Sequence, residues 1–421
     1  MPSSTREETL MVAILGYSRP QILAAVRQMY GAVAAAPDSP FHFPVGAEAC
    51  RRLGYPPEQT DALPAETLAC FAGVGYPFRA GAIRRGDRVL DIGAGAGNDA
   101  LIARRLVGPG GRVIALDLTA GMTRRLARAA RRSGIEDLDV VQGSAEGLPL
   151  PEASVDSITS NGALNLVPDK RLAVAEMFRV LKPGGRLQLA DVVIHRPVSV
   201  NCHEDPRLWV ECVVGATVKE ELLALFEEAG FEKVRLVGEH DYFALSPSPQ
   251  TREIAAGFGA HAIEVSMRRG EVAPSWPWRW RHRLDPRRIW RRIQRRGLTG
   301  LAALALALLS CYGTLALVAL LPLLGLGLAL DERLWAGTIT LFVLLSLGAL
   351  AAGLRRRVGP LPLMLGSLGG GLVCYALFVD YRALVELFGF TLLGTAVALD
   401  LRRRRRREAQ ILGLDRTASG A

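Results

Sequence analysis

The sequence predicts an α/β chain: a doubly wound, Rossmann-like, mostly parallel seven-stranded sheet with an N-terminal helical cap, followed by a four-helix transmembrane bundle. Three observations predict it. Strand and helix patterns alternate from residue 88 to 245, the signature of a parallel sheet covered on both faces. The short apolar strand Arg88–Ile92 runs into a glycine turn, Gly93 to Gly97, and then into helix-forming sequence. Beyond residue 297, four apolar segments each reach the roughly 20 residues needed to cross a bilayer.

Residues 1–87 read as a helical prelude. Ile22, Leu23, Val26, Met29 and Tyr30 recur at helical spacing. This segment is either a cap packed on the sheet or a lid over a ligand, with Tyr30 or Phe71 touching it. Residues 88–262 form the sheet domain. Expected strands are Arg88–Ile92, Arg112–Asp117, Leu138–Gln142, Val155–Ser160, Arg186–Val193, Glu232–Leu236 and His240–Leu245. Expected helices span 98–107, 119–132, 169–181 and 218–229.

In such sheets ligands bind beyond the carboxyl ends of the strands, so the strand ends carry the argument. The glycines let the backbone pass close under a ligand, and the helix that follows offers unpaired N–H groups. Asp117 closes the second strand, 20 residues after Gly97, where an acid can accept both hydroxyls of a ribose. Its plainer role would be to cap the helix at 119. Gly143-Ser144-Ala145-Glu146 follows the third strand, where an adenine edge can be read. Ser160-Asn161-Gly162 ends the fourth, facing the expected site of chemistry.

Charge is divided unevenly. Residues 1–275 hold 30 Lys and Arg against 33 Asp and Glu, whereas residues 276–421 hold 21 against 8. The net +10 therefore belongs to the last third. There, residues 263–297 form a basic, Trp-rich linker beside the apolar segments, the pattern of headgroup contact and not of nucleic-acid binding. The spans are expected near Leu298–Leu321, Leu334–Leu354, Val358–Val379 and Ala383–Leu401, within a membrane domain at 298–401, with a basic tail at 402–421. Arginines precede the first span, join the second to the third and follow the fourth. By the positive-inside bias both termini and the sheet domain face the cytoplasm, which places the chain in the inner membrane with four spans.

Six scattered cysteines form no CxxC pair, so no disulfide framework or structural zinc site is implied. No long apolar core lies in the first twenty residues, so no cleavable secretory signal is expected. His195, His203, His240 and His261 form no HxxH-like pair and are read as structural.

Asp91-Ile92-Gly93-Ala94-Gly95-Ala96-Gly97, Asp117, the Gly143–Pro149 segment and Leu181-Lys182-Pro183-Gly184-Gly185 together resemble class I S-adenosylmethionine-dependent methyltransferases across residues 88–245. The resemblance implies S-adenosyl-L-methionine as cofactor. Asp91 would order the glycine turn, and Gly93, Ala94 and Gly95 would pass under the methionine part. Asp117 would hold the ribose. Leu118, Met122, Ser144 and Ala145 would line the adenine slot, and Asn161 and Cys212 would face the substrate.

A narrower resemblance is to arsenite methyltransferases, through Val26-Arg27-Gln28-Met29-Tyr30-Gly31, Thr159-Ser160-Asn161, Ala190-Asp191-Val192-Val193 and Cys212-Val213-Val214-Gly215-Ala216. It implies a metalloid or other soft nucleophile as the small-molecule substrate. That family binds trivalent arsenic through several cysteines, and two of the places hold Val74 and Gly162 here; only Cys212 matches. Thiolates are what a soft centre requires. The missing thiols leave a quinone, lipid or small organic acceptor as the alternative. The four-span block resembles the MerC family through Leu308-Leu309-Ser310-Cys311-Tyr312-Gly313, with one thiol where that family carries a vicinal pair. Cys212, Cys311 and Cys374 are accordingly the candidate soft-metal ligands. A metal-carrying bundle with a cofactor-sensing domain is the reading from a different class.

Overall fold

In a computed structural model, residues 18–195, 215–272, 298–313, 332–355 and 359–411 are described, with scattered positions between 274 and 293. The chain divides into two units, residues 1–282 and 283–421.

The first unit opens with α1 (Arg19–Ala35), started by Ser18 and Gln21 in a reciprocal capping box. Short helical turns follow before β1 (Arg88–Ile92). The alternation then runs α2 (Asn98–Val107), β2 (Arg112–Asp117), α3 (Ala120–Arg132), β3 (Leu138–Gln142), β4 (Val155–Asn161), α4 (Lys170–Val180) and β5 (Leu181–Ile194). It closes with β6 (Thr217–Val218), α5 (Lys219–Ala229), β7 (Phe231–His240), α6 (Pro249–Phe258) and β8 (His261–Arg269). The strand order is β3-β2-β1-β4-β5-β8-β7, and the two-residue β6 pairs with β5, making eight strands. Strands β1 to β6 pair in parallel, whereas β8 is antiparallel to both β5 and β7. Buried apolar side chains such as Leu90, Ile114, Ile158, Leu187, Phe226 and Val265 form one continuous core along this sheet.

Strands β1 to β4 and helices α2 to α5 agree with the sequence reading; β5 begins at Leu181 and not at the expected Arg186, and two further elements correct the reading. His240–Leu245 is not a strand. The Asp241 carboxylate accepts the Ala244 N–H at 3.0 Å and closes a 3₁₀ turn at Tyr242–Leu245. The remaining long strand is β8, which begins at His261, so the sheet runs to Arg269 and not to the expected boundary at 262. β8 is an interior strand that carries charge. Glu264, 2% exposed, accepts the Tyr76 N–H at 2.9 Å and Arg79 Nε at 2.7 Å, which makes its burial tolerable.

The second unit contains α7 (Thr299–Leu308), a π-helical turn at Leu309–Gly313, α8 (Glu332–Arg355), α9 (Leu361–Phe378) and α10 (Ala383–Ile411). Among the described residues, three helices are long and apolar enough to cross a membrane, at Ala336–Gly353, Leu361–Phe378 and Ala383–Arg404, and Thr299–Tyr312 is a shorter apolar helix. The expected first span continues past Gly313 outside the described residues. α9 and α10 cross at Gly369 and Gly389, where an added Cβ at either would meet the other's carbonyl oxygen within 2.8 Å. Small residues at a crossing are how helices approach closely in lipid. Leu341, Leu344, Met364, Leu384 and Phe388 point outward and exposed, as lipid-facing side chains do. Cys311 is buried and donates to Glu386 Oε1 at 2.9 Å; its hydrogen-bond partner is that carboxylate and not Cys374.

Candidate active site

The carboxyl ends of β1, β2 and β4 open onto one pocket, about 970 Å³ when its solvent-open mouth is counted. Its lining includes Gly93, Ala94, Gly95, Asp117, Leu118, Met122, Ser144, Ala145 and Asn161, which are the predicted cofactor positions except Asp91.

The glycine turn is built for backbone and not for side chains. Gly93 (φ 77°) and Gly97 (φ 100°) occupy left-handed backbone. A Cβ on Gly93 would collide with the Cβ of Ala163, and one on Gly97 with Leu126 Cδ1. At Gly95 a Cβ would meet nothing within 4 Å among the described residues, so the cradle they form is open there. Asp117 braces the turn: Oδ2 accepts the Gly95 N–H at 2.9 Å, and Oδ1 accepts the Thr119 N–H at 2.7 Å.

Asp91 lies beneath the turn, 1% exposed, and takes no part in the lining. It accepts a backbone N–H from Ala100, while its Oδ2 has no hydrogen-bond partner among the described residues. Burial raises its pKa well above the usual carboxylate range, and the nearby Asp99 and Asp117 add to the rise. Burial likewise raises Asp99 and Asp117.

Asn161 lines the pocket, but its amide is committed to neighbours. Oδ1 accepts the Val74 and Gly75 N–H groups at 2.8 and 3.2 Å. Nδ2 lies 2.9 Å from the Gly75 carbonyl and Tyr55 Oη and 3.0 Å from Asp99 Oδ2. Tyr55 in turn donates to Asp99 Oδ1 at 2.6 Å. This network, which the sequence alone did not reveal, ties the end of β4 to the segment before β1.

The N-terminal segment supplies one wall of the pocket through Leu23, Val26, Tyr30, Thr67, Cys70 and Phe71, so both aromatic side chains named from the sequence reach it. Arg19 anchors α1 to Glu146, with Nη2 to Oε2 at 2.7 Å, and the other Glu146 oxygen accepts the Asp169 N–H at 2.8 Å. Cys50 and Cys70 are both buried, and burial raises both thiols. Cys212, with Cys202 and His203, lies outside the described residues. Val74 and Gly162 are neighbours: a Cβ on Gly162 would stand 3.2 Å from Val74 Cγ1.

Asp191 positions the pocket's far wall. Its carboxylate accepts N–H groups from Val192 at 2.7 Å and Leu164 at 2.9 Å, holding the turn that leads to Leu166 and Val167. Burial raises its pKa to about 7, against the three backbone N–H groups and Lys170, which favour the charged form. The folded chain therefore holds this proton more tightly than the unfolded chain. Its contribution to stability should fall as pH rises from about 4 to about 7 and level off above. Thermal melts of wild type and Asp191→Asn should show the wild-type advantage shrinking across that window; a constant difference would count against it.

Comparison with known proteins gives the family. Residues 83–230 match the family model described as methyltransferase domain, and residues 298–402 match MerC mercury resistance protein. The arsenite methyltransferase of Halobacterium salinarum is 35% identical over 190 residues, 45% of this chain and 48% of that protein. The ubiquinone/menaquinone biosynthesis C-methyltransferase UbiE of Proteus mirabilis is 34% identical over 180 residues, 38% of this chain and 72% of that protein. This chain belongs to the S-adenosylmethionine-dependent methyltransferases. Among solved structures, the arsenic (III) S-adenosylmethionine methyltransferase of Chlamydomonas reinhardtii aligns with 29% identity and a TM-score of 0.44, covering 53% of this chain and 74% of that one. The chain spans about half the length of the arsenite methyltransferases it matches. The methyltransferase domain is fused to a MerC domain, and that match with the apolar helices makes this a membrane protein.

Proposed function

We propose that this chain transfers a methyl group from S-adenosylmethionine to a metalloid or other soft nucleophile while tethered to the cytoplasmic membrane by four spans. The observation that carries the transfer is the pocket itself: an open glycine cradle, a carboxylate at the end of β2 and a wall supplied by the N-terminal cap. The cofactor supplies an electrophilic methyl on a sulfonium. Displacement at such a carbon needs alignment and exclusion of water more than acid–base groups.

The chain's residues divide that task. Gly93, Ala94 and Gly95 bring backbone under the methionine part, and Asp91 holds the start of α2 from below. Asp117 accepts the ribose hydroxyls, and Leu118, Met122, Ser144 and Ala145 enclose the adenine. Asn161 acts on the substrate through the Val74–Gly75 backbone that it grips, with Cys212 as the substrate-facing thiol. The likeness to arsenite methyltransferases and the presence of Cys70 in the lining support a soft acceptor. The arginine-flanked apolar segments support a cytoplasmic methyltransferase domain.

A second reading, transfer to an apolar organic acceptor such as a quinone, is favoured by one observation. Val74 and Gly162 are neighbours and supply no thiol where the soft-centre reading asks for two. Full-length protein in lipid vesicles, given S-adenosylmethionine with arsenite plus thiol, or with a quinol, separates the readings. Methylated arsenic is the expected product. Methylation of the quinol alone would overturn the metalloid assignment and leave the methyltransferase standing.

A further inference from the structure

The methyl-transfer pocket makes no use of a cluster at the carboxyl edge of β5. There, His195 just past β5, Glu239 near the end of β7 and His261 at the start of β8 each offer a ligand atom, and these atoms lie within 4.8 Å of one another. Sequence spacing could not show it, because the three residues come from separate strands and only the antiparallel insertion of β8 brings them together.

Hydrogen bonding at the cluster sharpens the case. His261 Nδ1 lies 2.9 Å from the Gly259 carbonyl oxygen, which can only accept, so this nitrogen carries the hydrogen. In the neutral imidazole Nε2 then presents a lone pair. It stands 3.1 Å from Glu239 Oε1, itself an acceptor, and is buried without a hydrogen-bond partner among the described residues. Two acceptors face each other across a gap that a cation would close. Lys219 takes the other carboxylate oxygen, with Nζ 2.9 Å from Oε2, and so leaves Oε1 directed at the histidine. The His195 ring lies 4.7 Å from the His261 ring, centroid to centroid.

We propose that His195, Glu239 and His261 form a binding site for a zinc-class divalent ion, which staples the end of β5 to the β7–β8 pair. Two imidazoles and a carboxylate are the ligand types such ions take, at bonds of about 2.0–2.2 Å. The backbone carbonyl that fixes the His261 tautomer is the outer-shell partner such ligands use. His195 and Glu239 are exposed, so small side-chain rotations close the present spacing. Three protein ligands leave a fourth position for water or a small anion.

The test uses full-length protein in detergent, purified without a polyhistidine tag, stripped by chelator and titrated with Co²⁺ as the probe. One equivalent should bind with ligand-field absorption of nitrogen and oxygen coordination and without thiolate charge-transfer bands, and excess Zn²⁺ should displace it. His261→Gln and Glu239→Gln should each weaken binding by about 10-fold or more, the scale of losses seen at metal sites. Glu239 lies on the exposed edge, so Glu239→Gln decides the question if His261→Gln fails to fold. No binding by wild type would overturn the proposal and leave a histidine–carboxylate pair. So would affinity unchanged in a folded variant, or a spectrum dominated by thiolate.

Discussion

Asp117→Ala should weaken S-adenosylmethionine binding by about 100-fold, since each hydrogen bond to a charged group contributes about 1.5–3 kcal/mol and a tenfold change in affinity is 1.4 kcal/mol. Two losses combine. The carboxylate that would accept the ribose hydroxyls disappears, and the Gly95 and Thr119 N–H groups lose the acceptor that shapes the turn. Asp117→Asn keeps one acceptor oxygen and should fall between the two. Calorimetric titration with S-adenosylmethionine and with its demethylated product reads the effect, and both ligands should lose affinity together because both carry the ribose. Unchanged affinity in Asp117→Ala would remove this pocket from consideration as the cofactor site.

Gly93→Ala should destabilise the domain by about 2–5 kcal/mol, the sum of left-handed strain and overpacking. The added methyl meets the Cβ of Ala163, which belongs to the turn held by Asp191. The clash and the strain can be separated. Gly93→Ala with Ala163→Gly removes the steric part and leaves the left-handed backbone, so the double variant should recover part of the lost melting temperature. A double variant no more stable than Gly93→Ala would place the whole effect in the backbone. Cofactor binding should fall in parallel, because the same turn forms the floor of the pocket.

Much of this site was legible because its parts are local. The run from Arg88 to Val107 holds a strand, a turn and a helix in twenty residues, and Asp117 falls at a fixed distance beyond it. What could not be read was tertiary. His261–Arg269 alternates weakly and carries Glu264 and Arg269 into the interior, so it lacks the apolar run that marks a buried strand. The Glu264 charge becomes acceptable only when Tyr76 and Arg79 arrive from a segment far away in sequence, and Arg269 meets the Leu181 carbonyl and Glu152. Asn161 ends β4 and lines the pocket, as its place in the sequence suggests, but its amide carries a further role. Its amide is occupied by Val74, Gly75, Tyr55 and Asp99, partners no spacing rule connects to it. Tyr242 and Phe243 mimicked a strand, and the Asp241 side chain decided for a turn. His195 and His261 were separated by too much sequence to be read as a pair.

The position of β8 also sets a schedule for synthesis. It is the last strand to be made, yet it sits between β5 and β7. Until Arg269 has left the ribosome, β5 has an open hydrogen-bonding edge and β7 has no place in the sheet. Only the stretch from Arg269 to Thr299 separates that moment from the first apolar helix. Slow closure would leave the β5 edge unpaired, and such an edge is prone to pair with another chain.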